Sequence, residues 1–161
     1  MDDIRYVSCG LYHSGVITTD NKLFMFGWNG SCQLGVKGVR ISTPIEIISN
    51  AKTVSCGGNH TGVITTDNKL FMFGSNIVGQ LGIGNEDGQS KILTEIMRNV
   101  KQISCSRLNT GVITTDRKLY MFGPKMNKKF GVSRSVPSTK VMINVKQVSF
   151  GDSHAGIISK F

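Results

Sequence analysis

The chain has 161 residues, 39% of them hydrophobic, with 19 glycines against three prolines and a net charge of +9. This is the length of one ordinary domain with enough apolar material for a core, which excludes disorder as the default state. No apolar run approaches the roughly 18 residues of a membrane helix, and the acidic start "MDDIRYVSCG" lacks the features of a secretory signal, so an intracellular chain (cytoplasm or nucleus) is expected.

The first predicted strand, "IRYVSCG", leads through a few turn residues into a second, "GVITT" from Gly15. Asp20-Asn21 then separates it from "KLFMF" at 22–26, which is a hairpin signal. Gly27 closes that strand, the loop "GWNGSCQLGVKG" follows, and "TPIEIIS" reads as a fourth strand. The same wording then returns. "AKTVSCG", "GVITTD" and "KLFMFGSNIVGQLG" form a second unit, and "VKQISCS", "GVITTD" and "KLYMFG" a third. "VKQVSFG" and "GIISKF" open a fourth. Aligned on Gly15, Gly62, Gly111 and Gly156, the repeat runs at 45–49 residues.

Most of these strands are apolar on both faces, which suits sheets covered on both sides. Helical period is absent, apart from a few residues around Ile92–Met97 that fit it weakly. Short antiparallel strands in fours, repeated at this interval, describe propeller blades. The expected fold is therefore all-β: a single array of about three and a half β-propeller blades. Its units are expected at about 4–50, 51–99 and 100–144, with a partial one at 145–161.

Cys9, Cys56 and Cys105 occupy one repeat position that Phe150 fills in the last unit, so the slot reads as packing. Cys32 stands alone in a loop. Without a Cys-x-x-Cys pair, buried reduced thiols are expected rather than disulfides or zinc. Glycosylation-type triplets at Asn29 and Asn59 read as chance matches. His13, His60 and His154 are equivalent positions of different units, and equivalent positions diverge around a ring. They read as structural histidines, with Asn109 in the third slot, and neither metal nor cofactor is expected. Gly27, Gly74 and Gly123 are expected at sharp strand ends, and Gly35 and Gly82 at positive φ. Asn29 and Asn76 are expected to close their loops by bonding backbone. Asp20, Asp67 and Asp116 suit turn chemistry. With no nucleophile elbow, phosphate loop or metal spacing, the chain reads as a non-enzyme.

Gly10-x-x-His13, Gly57-x-x-His60 and Gly151-x-x-His154, followed by "LFMFG" and the "N-x-x-G-Q-L-G" of 76–82, resemble the repeat of the regulator of chromosome condensation family. The resemblance covers nearly the whole chain. It implies a partial propeller of a seven-bladed type and a protein-interaction scaffold whose variable loops (28–43, 75–94 and 124–140) do the binding. It also implies, as an alternative, guanine-nucleotide exchange on a Ran-type GTPase. The short, even repeats leave no inserted wedge for that, and Glu86-Asp87 is explained by a solvated turn.

A further alternative is chromatin or nucleic-acid association through 124–140. There Lys125, Lys128, Lys129, Arg134 and Lys140 supply +5 of the net charge without an acid. These five residues are the candidate partner contacts, for nucleic acid or an acidic protein. The near-verbatim repeats and the Lys, Ile and Asn richness are also similar to short propeller-repeat proteins of giant DNA viruses, which would imply a virion or host-interaction role.

The first and last units are not expected to complete one another. Leaving four large apolar side chains wet at one end would forfeit roughly 6–12 kcal/mol, against a domain stability of about 5–15 kcal/mol. Self-association or docking onto another protein is the expected remedy, a truncated gene copy being the other reading.

Overall fold

The computed structural model describes residues 3–83, 91–124 and 139–160, and of residues 91, 139 and 140 the backbone. The fold is all-β. Three four-stranded antiparallel sheets follow one another along the chain, and a two-stranded one comes last. The first sheet, blade 1, is β1 (Ile4–Cys9), β2 (His13–Thr18), β3 (Leu23–Trp28) and β4 (Arg40–Ile48). Blade 2 is β5 (Ala51–Cys56), β6 (His60–Thr65), β7 (Leu70–Gly74) and β8 (Lys91–Met97). Blade 3 is β9 (Val100–Cys105), β10 (Thr110–Thr114), β11 (Leu119–Phe122) and β12 (Thr139–Met142). The half-blade is β13 (Val145–Phe150) with β14 (Ala155–Ser159). Each pairs its strands in chain order. The first strands of successive blades touch one another, so β1, β5, β9 and β13 line the inner side of a partial propeller.

The stretch 92–97 lies in strand β8, not in a helical turn, because its backbone is claimed by β7 through the pairs Leu70↔Met97 and Phe71↔Glu95. Pro44 sits within β4, an outer edge strand, where a missing N–H costs no ladder bond.

Each β2–β3 type hairpin turns on four residues rather than on an Asp-Asn pair. Asn21 donates its N–H to the Thr18 carbonyl at 3.0 Å, and Asn21, Asn68 and Arg117 adopt φ of 67°, 60° and 63°. This is a tight turn followed by one left-handed residue, a usual three-residue hairpin connection. The Asp in each turn accepts the hydroxyl of the preceding Thr (Thr18, Thr65, Thr114) and an ion pair from Lys22, Lys69 or Lys118. Those bonds hold all three carboxyls below the usual range and assign the aspartates to the turns.

Three apolar clusters lie between blades. Ile17, Leu23, Met25 and Leu34 of blade 1 meet Ala51, Val54, Cys56, Val63 and Phe73 of blade 2. Ile64, Leu70, Met72 and Leu81 of blade 2 meet Val100, Ile103, Val112 and Phe122 of blade 3. Ile113, Leu119 and Met121 of blade 3 meet Val145 and Val148. Each sheet thus shows a trailing set to the next blade and a leading set to the previous one. This is why the strands carry apolar residues on both faces.

Candidate interaction surfaces

Many of the strongly repeated polar residues are used within the fold. His13 donates from Nε2 to Thr61 Oγ1 of the next blade at 2.8 Å, and that hydroxyl donates to the Gln33 carbonyl at 2.8 Å. His60, Thr110 and Gln80 repeat the relay at 2.9 and 2.9 Å. Because the threonine O–H is committed to a carbonyl, the histidine must supply its own proton from Nε2, which leaves Nδ1 unprotonated. Both Nδ1 atoms are buried with no partner among the described residues. Burial accordingly lowers His13 to about 4, offset in part by the His60 backbone, and lowers His60 to about 3, with His13 adding to the effect.

The glycine three residues before each histidine makes room for the ring. A Cβ on Gly57 would lie 2.4 Å from His60 Cε1 and 2.5 Å from the Ser106 carbonyl oxygen. The third relay is absent: Asn109 is buried, and the threonine position opposite it is Ala155. His154, read from the sequence as a structural histidine like His13 and His60, is instead exposed.

A second repeated tie uses the serine of "VSC". The amides of Cys56, Cys105 and Phe150 donate to Ser8, Ser55 and Ser104 Oγ of the preceding blade, at 3.0, 2.9 and 3.0 Å. The loop motif is equally structural. Asn29 Oδ1 accepts Leu34 N at 2.9 Å, and its Nδ2 donates to the Val36 and Gly38 carbonyls at 2.9 and 3.1 Å. Asn29 is buried, which leaves no room for a glycan. Asn76 Oδ1 accepts Leu81 N at 3.1 Å in the second copy. Gly35 and Gly82 take φ of 82° and 72° and Gly27, Gly74 and Gly123 take 116°, 105° and 104°, which L side chains resist. Cys32 stands at φ 56° where the second copy has Gly79.

All four cysteines are free, but only Cys56 is buried, contrary to the expectation; Cys9 is exposed and Cys32 and Cys105 are half-buried. Desolvation pushes the Cys56 thiol up to about 12 and that of Cys105 up to about 11, so neither is a nucleophile near neutral pH. Among the described residues no three His, Cys, Asp or Glu side chains converge as a metal site, and no helix is long and apolar enough to cross a membrane.

Large non-repeated residues stand on the exposed surface. Tyr12 is 66% and Trp28 44% exposed. With Arg40 and Gly27 they line a depression of about 540 Å³ on blade 1. The corresponding residues elsewhere are Asn59 and Leu108 for Tyr12, and Ser75 and Pro124 for Trp28. Trp28 and Arg40 lie in 28–43, one of the three loops expected to bind (with 75–94 and 124–140), whereas Tyr12 lies outside all three; its signal was the departure from an otherwise verbatim repeat. Lys125, Lys128, Lys129 and Arg134 lie outside the described residues, as do Glu86 and Asp87, and Lys140 is placed by its backbone opposite Tyr120 in the β11–β12 pair.

Two models of the regulator of chromosome condensation (RCC1) repeat match the sequence, one at residues 4–33 and 51–80, the other at 20–64 and 67–113. The chain belongs to the RCC1 repeat family. No curated protein matches the chain. Among solved structures, yeast RCC1 (Prp20) bound to Kap60 is 22% identical with a TM-score of 0.80, covering 97% of this chain and 41% of that one. Prp20p of Saccharomyces cerevisiae, studied with its binding to Gsp1p and histones, is 22% identical with a TM-score of 0.79, covering 98% and 43%. Human WBSCR16 is 18% identical with a TM-score of 0.80, covering 98% and 44%. This RCC1 repeat chain thus spans about two fifths of the length of those structures, and what it shares with them is the propeller fold.

Proposed function

We propose that this RCC1 repeat chain is a non-enzymatic scaffold that binds a protein partner, with Tyr12, Trp28 and Arg40 as the anchor of the contact. The observation that carries the reading is the division of labour among residues. The repeated His, Thr, Ser, Asn, Gln and Asp side chains are spent inside the fold, some on joints between blades and the rest on hairpin turns and loops. An exposed Tyr–Trp–Arg cluster stands outside the repeat beside a depression. Tyr, Trp and Arg are the residue types that dominate interface energetics, because they bury large rigid area and still hydrogen-bond. The relatives named with Kap60, Gsp1p and histones supply candidate partner classes.

The test is a titration of the chain with those three proteins, beside a nucleotide-release assay on a Ran-type GTPase. Binding to at least one, weakened tenfold or more by Trp28→Ala, is expected, with nucleotide release at its basal rate. Accelerated release would replace the scaffold with the exchange reading. Salt-steep binding to DNA, abolished when Lys125, Lys128 and Lys129 become alanine, would replace it with the nucleic-acid reading.

A further inference from the structure

We infer that Arg5, Lys52, Lys101 and Lys146 form a cationic row on the inner side of the array, and that its ligand is an extended acidic segment of a partner protein. The row lies where the inner strands begin, beside the β2–β3 type hairpins. Tyr12, Trp28 and Arg40 stand at the opposite end of the strands, so the inference goes beyond the scaffold anchor and does not rest on it.

In every unit the inner strand carries one residue more than its partner at the same place. Ile4 and Tyr6 oppose Thr18 and Ile17, and Ala51 and Thr53 oppose Thr65 and Ile64. Val100 and Gln102 oppose Thr114 and Ile113, and Val145 and Gln147 oppose Ser159 and Ile158. The residue left over is Arg5, Lys52, Lys101 or Lys146. Each is the unpaired residue of a β-bulge, a device that re-aims a side chain out of the ladder. All four are cations, and all four are exposed. Lys52 and Lys101 decide the matter, because each has a neighbouring sheet on either side and stays exposed between them.

The repeated lysines of the hairpins, Lys22, Lys69 and Lys118, are each paired with the Asp of their own turn. Among the described residues no ion pair joins a bulge cation to a carboxylate, and the bonds these cations do make go to neutral oxygens. Arg5 donates from Nη2 to Asn21 Oδ1 at 2.8 Å and to the Ala51 carbonyl at 2.9 Å, and from Nη1 to the Lys52 carbonyl at 3.2 Å. Lys52 Nζ donates to Asn68 Oδ1 at 3.0 Å. These bonds aim the side chains without neutralising them, and the Arg5 contact with Lys52 sets neighbouring members of the row side by side. In the third unit the residue equivalent to Asn21 and Asn68 is Arg117, exposed at φ 63°. An acceptor is replaced there by a second cation, which an anion from outside would stabilise.

The chemistry of the row favours carboxylates. One cation per blade, on inner strands that touch, presents a line of separate charges that suits acids spaced along an extended chain. Three of the four are lysines, point charges without the planar fork that reads phosphate bidentately. A single nucleic-acid strand gains much of its affinity from aromatic platforms under its bases. The residues that follow the four cations are Tyr6, Thr53, Gln102 and Gln147, of which one is aromatic.

The test uses the full chain and a labelled oligoglutamate peptide, followed by fluorescence anisotropy. Saturable binding is expected, weakening as salt is added. Lys52→Gln combined with Lys101→Gln is expected to weaken it roughly tenfold, through the loss of two screened ion pairs. The melting profile is expected to stay that of the wild type, since both side chains are exposed. Arginine at the same two positions is expected to bind like the wild type. The control, Lys37→Gln with Arg107→Gln, removes the same charge from loops at the opposite end of the strands. Lying beyond a screening length, it is expected to change affinity by less than about twofold. Absence of binding overturns the proposal. So does an equal loss in the control pair, which would leave only the net charge of +9 at work. A thymidine oligomer that binds more tightly than oligoglutamate, with the same loss in the Lys52–Lys101 variant, overturns the choice of ligand. Trp28→Ala, the variant that tests the scaffold anchor, is expected to leave oligoglutamate binding unchanged, so the two readings fail separately.

Discussion

Blades 1 and 2 share most of their wording, yet they occupy different surroundings. In blade 2 the leading residues Val54, Cys56, Val63 and Phe73 are sealed against blade 1, and the trailing residues Ile64, Leu70 and Met72 against blade 3. In blade 1 the trailing residues Ile17, Leu23 and Met25 are equally sealed, but Val7 and Cys9 are open and Val16 and Phe26 half-buried. An identical residue therefore contributes according to which neighbour stands beside it. The unit of stability is the joint between blades, as in other arrays whose repeats cannot bury their faces alone.

Truncating equivalent phenylalanines should break the equivalence most visibly. Phe73→Ala removes a ring with no exposed surface from the first inter-blade cluster, and should cost about 3–5 kcal/mol in urea unfolding. Phe26→Ala removes the same ring from a half-open face and should cost about 1–2 kcal/mol. Equal losses would show that the leading face of blade 1 is covered in solution after all.

The histidine relays sharpen the same contrast through pH. His13 and His60 are neutral in the fold, at about 4 and 3, and return to about 6.5 when the chain unfolds. Below pH 6.5 the unfolded state therefore takes up protons that the folded state refuses. Stability is complete above that pH and is lost as pH falls toward 4. From pH 7 to pH 5 the expected loss is about 2 kcal/mol per histidine, in a range where ordinary carboxylates stay ionised. The control is already written into the third joint, where Asn109 faces the Ala155 position. Replacing His13–Thr61 and His60–Thr110 by Asn–Ala pairs should flatten stability between pH 5 and 7. A slope that survives the replacement would trace to some other group.

That third joint also shows what repetition reveals and what it hides. The propeller, the blade order and the turn role of the aspartates were legible because they depend on local alternation and on wording repeated in register. The joints were less so, because a bond between blades links residues 28–50 positions apart that no local pattern connects. The serine of "VSC" was quoted with its neighbours, yet only the fold shows that its hydroxyl reaches the next blade. Where the histidine relay is missing, Gln102 bridges instead, donating Nε2 to the Val148 carbonyl at 2.9 Å, and no motif announces it. Residues 92–97 misled through their spacing, since pairing with β7 overrode a weak helical period. The exposure of Cys9 and His154 was illegible in principle: the residues equivalent to them are buried or half-buried, and the difference lies in what stands next to them.

Equivalent glycines give the finest comparison. A methyl group on Gly57 would meet the Ser106 carbonyl oxygen of blade 3 at 2.5 Å and His60 Cε1 at 2.4 Å. The carbonyl belongs to the neighbouring backbone, which itself accepts the Gly58 amide at 3.1 Å, and the buried ring is held by Thr110. Neither can withdraw without breaking a bond, so Gly57→Ala should cost about 1–3 kcal/mol by forced separation of blades 2 and 3. At Gly151 the three atoms nearest the same methyl all belong to the ring of His154, the closest at 2.5 Å. That ring is exposed, with no next blade over it, and can turn away. Gly151→Ala should therefore change stability by less than about 0.5 kcal/mol. Thermal melts of the two variants separate the explanations cleanly. If glycine were needed for the conformation of the turn, both substitutions would hurt alike. If it is needed to admit the next blade, only the interior one will, and the gap between them measures how closely two blades approach.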